Sequence, residues 1–542
     1  MKLAELIVDD AKRRGIDHMF GIPGSGFPLD VLEAGRTGGV DLVLTAHESS
    51  AAIAAAAYGA IKGTPGIAIS VKGVGAGNLV GGAVNAHFER MAVLCICESG
   101  DPGSTTELVQ IANHDQMFRA VAKLQRTFTH DSAAESLQRA VFEAGDGRPG
   151  PIVLNVTGAM AEGDVGSALP NLPAAKADVP DTTALDRLAE ALSGARRVVV
   201  IAGADVARHG AIKELAKFVE SIGATVLTSM DARGVFPESD PRWAGLHIGA
   251  YAAHHIETDI VGAADLVLLI GVDAMMTHSP WGFDVPTVEL VARPEYATMS
   301  PDPGVRADGD LTASLSYLTG KSESADDGFP IDEVAAIKAE ILKLFERPST
   351  ATFSQQDIIE ISRRLLPEDG VLVSETGAFV RFLEHLWPVD RPNTFIGTSG
   401  GRTMGLMIPA ALGAKLARPD LPMIGIGADG STLMRLGELE SFARTGVAMP
   451  LIIINDHALG TMKSRQKSRG MVDHGLDLQP VDFAQIAQAV GLNGIIAETP
   501  DRFESALSSA LSTDVTTVID ARVDPQPYWD SFGPSIGVID DA

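Results

Sequence analysis

Asp429 and Asp456 each follow a short apolar run, Met423–Gly427 and Leu451–Ile454, and they stand 27 residues apart. Continuous apolar runs of this length are what a parallel sheet covered on both faces requires, so both acids are expected at strand ends. Gly430 and Ser431 follow the first acid, and the second opens into Asn455-Asp456-His457-Ala458-Leu459-Gly460. Oxygen side chains at neighbouring strand ends, with glycines that let backbone approach closely, suit a hard cation such as Mg²⁺ that shares its coordination with phosphate oxygens. Asp429 and Asp456 are the candidate metal ligands, with Gly430 and Ser431 facing the phosphates. A bare Asp-Gly-Ser is more often a simple turn; the spacing and the flanking apolar runs carry this reading.

A second group lies near the N-terminus. Asp41–Ala46 reads as a strand, and His47-Glu48-Ser49-Ser50 opens an Ala-rich helix, Ala51–Lys62. Gly66–Val71 is the next strand, followed by a glycine-rich loop, Lys72–Asn78. Taken alone, Glu48 is an acid stabilised by a helix N-terminus. Taken alone, Met404 in Thr403-Met404-Gly405 is core filling.

Together, these motifs occur in the order and at the separations of thiamine-diphosphate enzymes, and the chain resembles that family along its whole length. In the family a glutamate hydrogen-bonds N1′ of the cofactor's pyrimidine, and a large apolar side chain wedges the cofactor into a V shape. Glu48 matches the first position, and Met404, beside Thr403, the second. The resemblance implies thiamine diphosphate and Mg²⁺ as cofactors, with the Ala458 carbonyl as the cation's third ligand and Gly460 on the diphosphate, and two similar domains binding opposite ends of the cofactor. It also implies a site completed by a second subunit: a homodimer at minimum, with a homotetramer common. Two departures stand out. Ala428 replaces the usual glycine before Asp429, and Asp456 stands where asparagine is usual, which adds negative charge beside a diphosphate.

The substrate side is less distinctive. Ile22-Pro23-Gly24-Ser25 resembles the loop of benzoylformate decarboxylase whose serine holds the substrate carboxylate. Ile270-Gly271 followed by Thr277-His278 resembles the same enzyme's middle-domain strand end, where a histidine transfers protons; a histidine there can titrate near neutrality. The plainer reading is a surface serine and a surface histidine. Lys72 would pair with a substrate carboxylate or stay solvated. The paired histidines of pyruvate decarboxylases have no counterpart, since His114 stands singly. Gly271–His278 also lacks the Arg-Phe-Asp-Asp-like run of flavin-containing acetohydroxyacid synthases, so FAD is not expected.

Composition agrees with a soluble globular protein. The chain has 542 residues, 45% hydrophobic and 21% charged, enough for about three domains. A net charge of −27 argues against nucleic acid or an anionic membrane as partner. No apolar run reaches the length of a membrane span, and the first helix lacks the pattern of a signal peptide. Cys95 and Cys97 share a strand face roughly 6–7 Å apart, too far for a disulfide, and read as buried thiols in a reduced, cytoplasmic setting.

The predicted class is α/β, with three doubly wound parallel-sheet domains. The pyrimidine-binding domain is placed at 1–167, a middle domain at 182–320, the diphosphate-binding domain at 350–525 and a C-terminal tail at 526–542. The leading functional expectation is decarboxylation of a small-molecule 2-oxo acid in the manner of benzoylformate decarboxylase, with carboligation open to it. The alternatives are a flavin-free acetolactate-synthase-like carboligase, for which Lys463 and Gln466 speak, a 2-hydroxyacyl-thioester lyase, and a non-catalytic cofactor-binding regulatory protein.

Overall fold

The computed structural model describes residues 1–101, 109–166, 179–249, 255–321, 329–347 and 349–524. The expected tail, 526–542, and most of the stretch 168–181 between the first two expected domains lie outside the described residues. Three six-stranded sheets, parallel throughout, carry the chain. The first holds β1 (His18–Gly21), β2 (Asp41–Leu44), β3 (Gly66–Ser70), β4 (Val93–Glu98), β5 (Leu124–Thr127) and β6 (Pro151–Val156). The second holds β7 (Val198–Ala202), β8 (Thr225–Ser229), β9 (Trp243–His247), β10 (Leu266–Ile270), β11 (Thr287–Val291) and β12 (Val305–Asp308). The third holds β13 (Val371–Ser374), β14 (Phe395–Ile396), β15 (Met423–Ala428), β16 (Pro450–Asn455), β17 (Asn493–Ala497) and β18 (Thr517–Arg522).

The spatial order is β2-β1-β3-β4-β6-β5 in the first sheet and β14-β13-β15-β16-β18-β17 in the third. Counted within each sheet, the two orders are the same winding. The middle sheet runs β12-β11-β10-β7-β8-β9, the order of a dinucleotide-binding fold. In open parallel sheets, ligands collect beyond the carboxyl ends of the strands where the winding reverses. In the third sheet that point lies between β13 and β15, whose ends carry Glu375 and Asp429.

The Ala-rich helix, Glu48–Lys62, is buried over most of its surface because it packs on its own sheet and on helix Met407–Ala417 of the third unit. Helices this close need small side chains: a Cβ on Gly413 would overlap the Ala54 carbonyl oxygen. One continuous apolar core therefore runs from Leu6 and Ile53 of the first unit to Leu412 and Leu451 of the third.

Two local expectations change. The segment Lys72–Asn78 is not all loop: helix Val74–Phe88 begins after Gly73, whose φ is +62°. Gly75 sits inside that helix because a Cβ there would meet Val71 Cγ2 at 2.6 Å and Glu48 Oε1 at 3.2 Å. Asp429-Gly430-Ser431 is likewise the first turn of a short helix, Asp429–Leu433, rather than an open turn. Cys95 and Cys97 are buried free thiols on β4. Among the described residues no helix is long and apolar enough to cross a membrane.

Candidate active site

Asp429 leaves β15 as a buried carboxylate, and Asp456 leaves the adjacent β16 half-buried. Asp429 Oδ1 accepts the Gly430 N–H at 2.6 Å, and backbone N–H groups of His457, Asp456 and Ala458 also point at the side chain. Burial nevertheless raises its pKa to about 6, because those bonds do not offset the loss of water. Asp429 Oδ2 is buried without a partner, as are Ser431 Oγ and Thr432 Oγ1. Buried polar atoms left unpaired are costly, so a site with this many invites a bound cation and acceptor oxygens. Asp456 Oδ1 accepts the Ala458 N–H at 3.0 Å, and His457 between them holds a φ of +59°. Gly460 begins helix Gly460–Ser468, whose first-turn N–H groups suit a phosphate. A Cβ on Gly430 would stand 2.8 Å from Leu459 Cδ2, so this cradle needs glycine or a shifted leucine. The donor set therefore fits a diphosphate with one hard cation. Among the described residues no cluster of three His, Cys, Asp or Glu side chains could hold a metal unaided, so phosphate oxygens would have to complete the coordination.

A cavity of about 640 Å³ opens beside Asp456. Its lining, from Asp456 to Leu478, comes from the third unit. Lys463 closes one wall, reaching Asp477 at 2.5 Å and Asp473 at 3.2 Å, while Gln466 Nε2 donates to the His474 carbonyl.

The turn carrying Met404 is held from several sides. Asn85 Nδ2 donates to Thr403 Oγ1 at 3.0 Å, and the buried Glu89 accepts from Ser399 N, Ser399 Oγ and Gly401 N. Beneath the turn, Glu375 is fully enclosed and accepts the N–H groups of Met407 and Ala428 at 3.1 Å each, with those of Gly405 and Leu406 also directed at it. Burial lifts the Glu375 pKa to about 7. Asn85, Glu89 and Glu375 were not singled out from the sequence; the one available signal was Glu375, an acid directly after an apolar strand, the same arrangement that points to Asp429.

In the first unit, Glu48 is buried at the first position of its helix, and its Oε2 accepts from Asn78 Nδ2 at 3.0 Å. Ser25 is exposed on the loop after β1, where Gly24 lies against Val71 and Gly26 against Glu98. Lys72 Nζ lies 3.8 Å from Glu98 Oε1. Glu48, Ser25 and Lys72 are thus gathered at the carboxyl ends of β1 to β4. His114 is buried below them. Its Nε2 accepts the Gly73 N–H at 3.2 Å and its Nδ1 lies 2.9 Å from Asn155 Oδ1, which makes it a support for the Lys72–Gly73 turn.

The middle unit brings His278 to the Met404 turn. A Cβ on Gly400 would lie 3.3 Å from Met276 Sδ and 3.4 Å from the Met275 carbonyl, so the two loops are in contact. His278 keeps one side in solvent while its flank is enclosed. Desolvation first, then Arg402, lowers its pKa to about 4, well away from the expected titration near neutrality. At the reversal point of the middle sheet, Asp205 and Asp273 take Arg148 at 3.3 and 3.1 Å, and Asp273 takes Arg90 at 2.7 Å. Arginines of the first unit thus occupy the crevice where a dinucleotide fold takes its ligand.

Three family models match the chain in order: the N-terminal thiamine pyrophosphate binding domain at residues 1–118, the central domain at 185–316, and the C-terminal binding domain at 375–521. Relatives include the acetolactate synthase large subunit of Haemophilus influenzae, 26% identical over 97% of this chain and 95% of that protein. The isozyme 3 large subunit of Escherichia coli is 25% identical over 94% of this chain and 92% of its own length. A catabolic acetolactate synthase of Raoultella terrigena is 25% identical over 96% and 95%. These names are acetolactate synthases, whereas the Ser25 and His278 loops had pointed toward benzoylformate decarboxylase.

Proposed function

Because the chain belongs to the thiamine pyrophosphate enzyme family, we propose that it decarboxylates a 2-oxo acid and couples the remaining fragment to a second carbonyl, with Mg²⁺ anchoring the cofactor. The observation that carries the reading is the unpartnered pair of buried oxygens, Asp429 Oδ2 and Ser431 Oγ, at the reversal point of the third sheet. Asp429, Asp456 and the Ala458 carbonyl would hold the cation. Gly430 N–H, Ser431 and the start of helix Gly460–Ser468 would hold the diphosphate, and Thr403 with Met404 would shape the cofactor. When bound, the cofactor supplies a carbon nucleophile that adds to a carbonyl and accepts the electron pair released with CO₂. Glu48, with one oxygen fixed by Asn78, would hydrogen-bond the pyrimidine. Ser25 and Lys72 line the same strand ends and would meet the substrate; Glu98 restrains Lys72.

Coupling is favoured over release of an aldehyde by the names of the relatives, which are acetolactate synthases. Simple decarboxylation remains the second reading, supported by the exposure of Ser25 and His278 at neighbouring strand ends. Flavin is left out of the proposal because Gly271–His278 lacks the Arg-Phe-Asp-Asp-like run of flavin-containing acetohydroxyacid synthases.

The cavity beside Asp456 is lined by the third unit and Glu48 belongs to the first. We therefore propose a homodimer at minimum, with Glu48 of one subunit serving the diphosphate site of its partner, and a homotetramer as the full assembly. The buried free thiols support a reducing, cytoplasmic setting. A panel of 2-oxo acids with thiamine diphosphate and Mg²⁺, read for CO₂ and organic products together, tests the function. Coupled product from one acid supports it, aldehyde alone moves it to the second reading, and silence despite cofactor binding overturns both.

A further inference from the structure

Arg402 directly precedes Thr403 and Met404, and it is a non-glycine residue at a φ of +45°. Backbone in this region is costly for an L side chain and persists where the surroundings or a function require it. Its side chain keeps 27% of its surface exposed. Its charged contact is loose: Nη1 stands 3.8 Å from Glu384 Oε1, an oxygen that is itself buried without a hydrogen bond. Glu384 gives its other oxygen to Arg381 at 2.6 Å. Two guanidinium groups therefore share one carboxylate. The remaining acids around the cluster are engaged elsewhere. Glu89 accepts from Ser399 and Gly401, and Glu257 accepts the Ile248 and Gly249 N–H groups. His255 and His278 are both held near pKa 4 by burial first and by these arginines second, so neither adds charge at neutral pH. Beside the Met404 turn, the protein thus presents guanidinium donors, one neutral imidazole and open solvent.

From this arrangement we infer that Arg402, with His278 beside it, forms the subsite that takes the carboxylate of the acceptor 2-oxo acid. The inference rests on the coupling reading above and assigns it a specificity residue. The acceptor is the better match than the donor for a physical reason. A donor must lose its carboxylate as CO₂, and an ion pair to a guanidinium stabilises the charged ground state that has to disappear. An acceptor keeps its carboxylate, so the same ion pair anchors it throughout and holds its carbonyl toward the cofactor. Arginine's planar fork suits a carboxylate, and the imidazole can add one donor.

The test uses Arg402→Gly and Arg402→Lys in the cofactor-loaded enzyme. Glycine accepts a φ of +45° without strain, so the melting temperature of Arg402→Gly should equal or exceed that of the wild type, and any loss belongs to the missing guanidinium. Coupled product is compared for a 2-oxo acid acceptor and for the neutral aldehyde with the same side chain. The preference for the anionic acceptor should fall at least tenfold in Arg402→Gly and partly return in Arg402→Lys. Parallel losses with both acceptors, or no change in preference, would overturn the inference. If the wild type releases no CO₂ from any 2-oxo acid, the functional reading fails separately. Lactate, a non-reacting 2-hydroxy acid, then decides the subsite: it should raise the melting temperature of the cofactor-loaded wild type and not that of Arg402→Gly. An equal response in both, or in neither, rejects an anion site at Arg402.

Discussion

Asn78 Nδ2 meets Glu48 Oε2 at 3.0 Å, joining the first turn of helix Glu48–Lys62 to the second turn of helix Val74–Phe88. One carboxylate oxygen is thereby fixed by an amide, and the other lies over Gly75, where a Cβ would approach it to 3.2 Å. The acid is oriented before any ligand arrives, which is the condition under which a single hydrogen bond can steer chemistry.

Glu48→Gln keeps the shape and the contact with Asn78 while removing the charge. Turnover should fall by at least about 10²-fold. The stabilisation that thiamine diphosphate with Mg²⁺ gives in a thermal melt should persist. Near-normal turnover would place the activating carboxylate elsewhere.

Asp456→Asn exchanges one oxygen ligand for another and removes a charge beside the diphosphate. Cofactor affinity, measured by titration at saturating Mg²⁺, should be equal or higher. Asp456→Ala removes the ligand, and Mg²⁺ affinity should fall by at least about tenfold, since even outer-shell partners of a metal are worth that much.

Glu375 makes the cofactor-free protein sensitive to pH. Its folded pKa of about 7 lies above the ordinary 4.5, so protonation favours the fold. The contribution is complete below pH 4.5 and is lost as pH rises through 7. Asp429, raised to about 6, acts in the same direction over a lower window. Denaturant titrations of the cofactor-free protein at pH 5 and pH 8 should differ by about 2.5 kcal/mol from Glu375 alone. Glu375→Gln should remove that share of the difference and leave the smaller one from Asp429. A profile as steep as the wild type's would mean that the Glu375 carboxyl is not responsible.

Gly413→Ala puts a methyl against backbone rather than against a movable side chain, since the nearest atom is the Ala54 carbonyl oxygen. Overpacking of this kind costs about 1–3 kcal/mol or more. The midpoint of chemical denaturation should drop accordingly. An unchanged midpoint would show that the helix contact is slack.

The parts of the site that were readable before the structure are those whose signal is local. Asp429, Asp456 and Glu48 each follow an apolar run, so strand, acid and helix start lie within a few residues of one another. Residues whose partners are remote in sequence were not readable. Asn85 works on Thr403, Glu89 on Ser399, and Arg402 owes its interest to a backbone angle and to residues of the middle unit. The start of helix Val74–Phe88 was hidden for the opposite reason. Glycines at 75 and 77 are poor helix formers in isolation, so the segment read as loop, yet tertiary contact with Val71 and Glu48 leaves no room for a larger residue at 75. His278 was expected at a middle-domain strand end as a proton-transfer group; its low pKa depends on burial and on Arg402, neither of which a strand-end motif reveals.

The close stacking of helix Glu48–Lys62 on helix Met407–Ala417 bears on how such chains can be recombined. Three sheets invite the view of three exchangeable modules. The Ala54–Gly413 contact leaves no slack for a foreign surface, so a chimera that imports the first unit from a relative must import the matching helix of the third as well. The middle unit is bound by the same criterion, since a Cβ on Gly234 would stand 2.4 Å from the Arg391 carbonyl of the third, so it travels only with the turn it was fitted to.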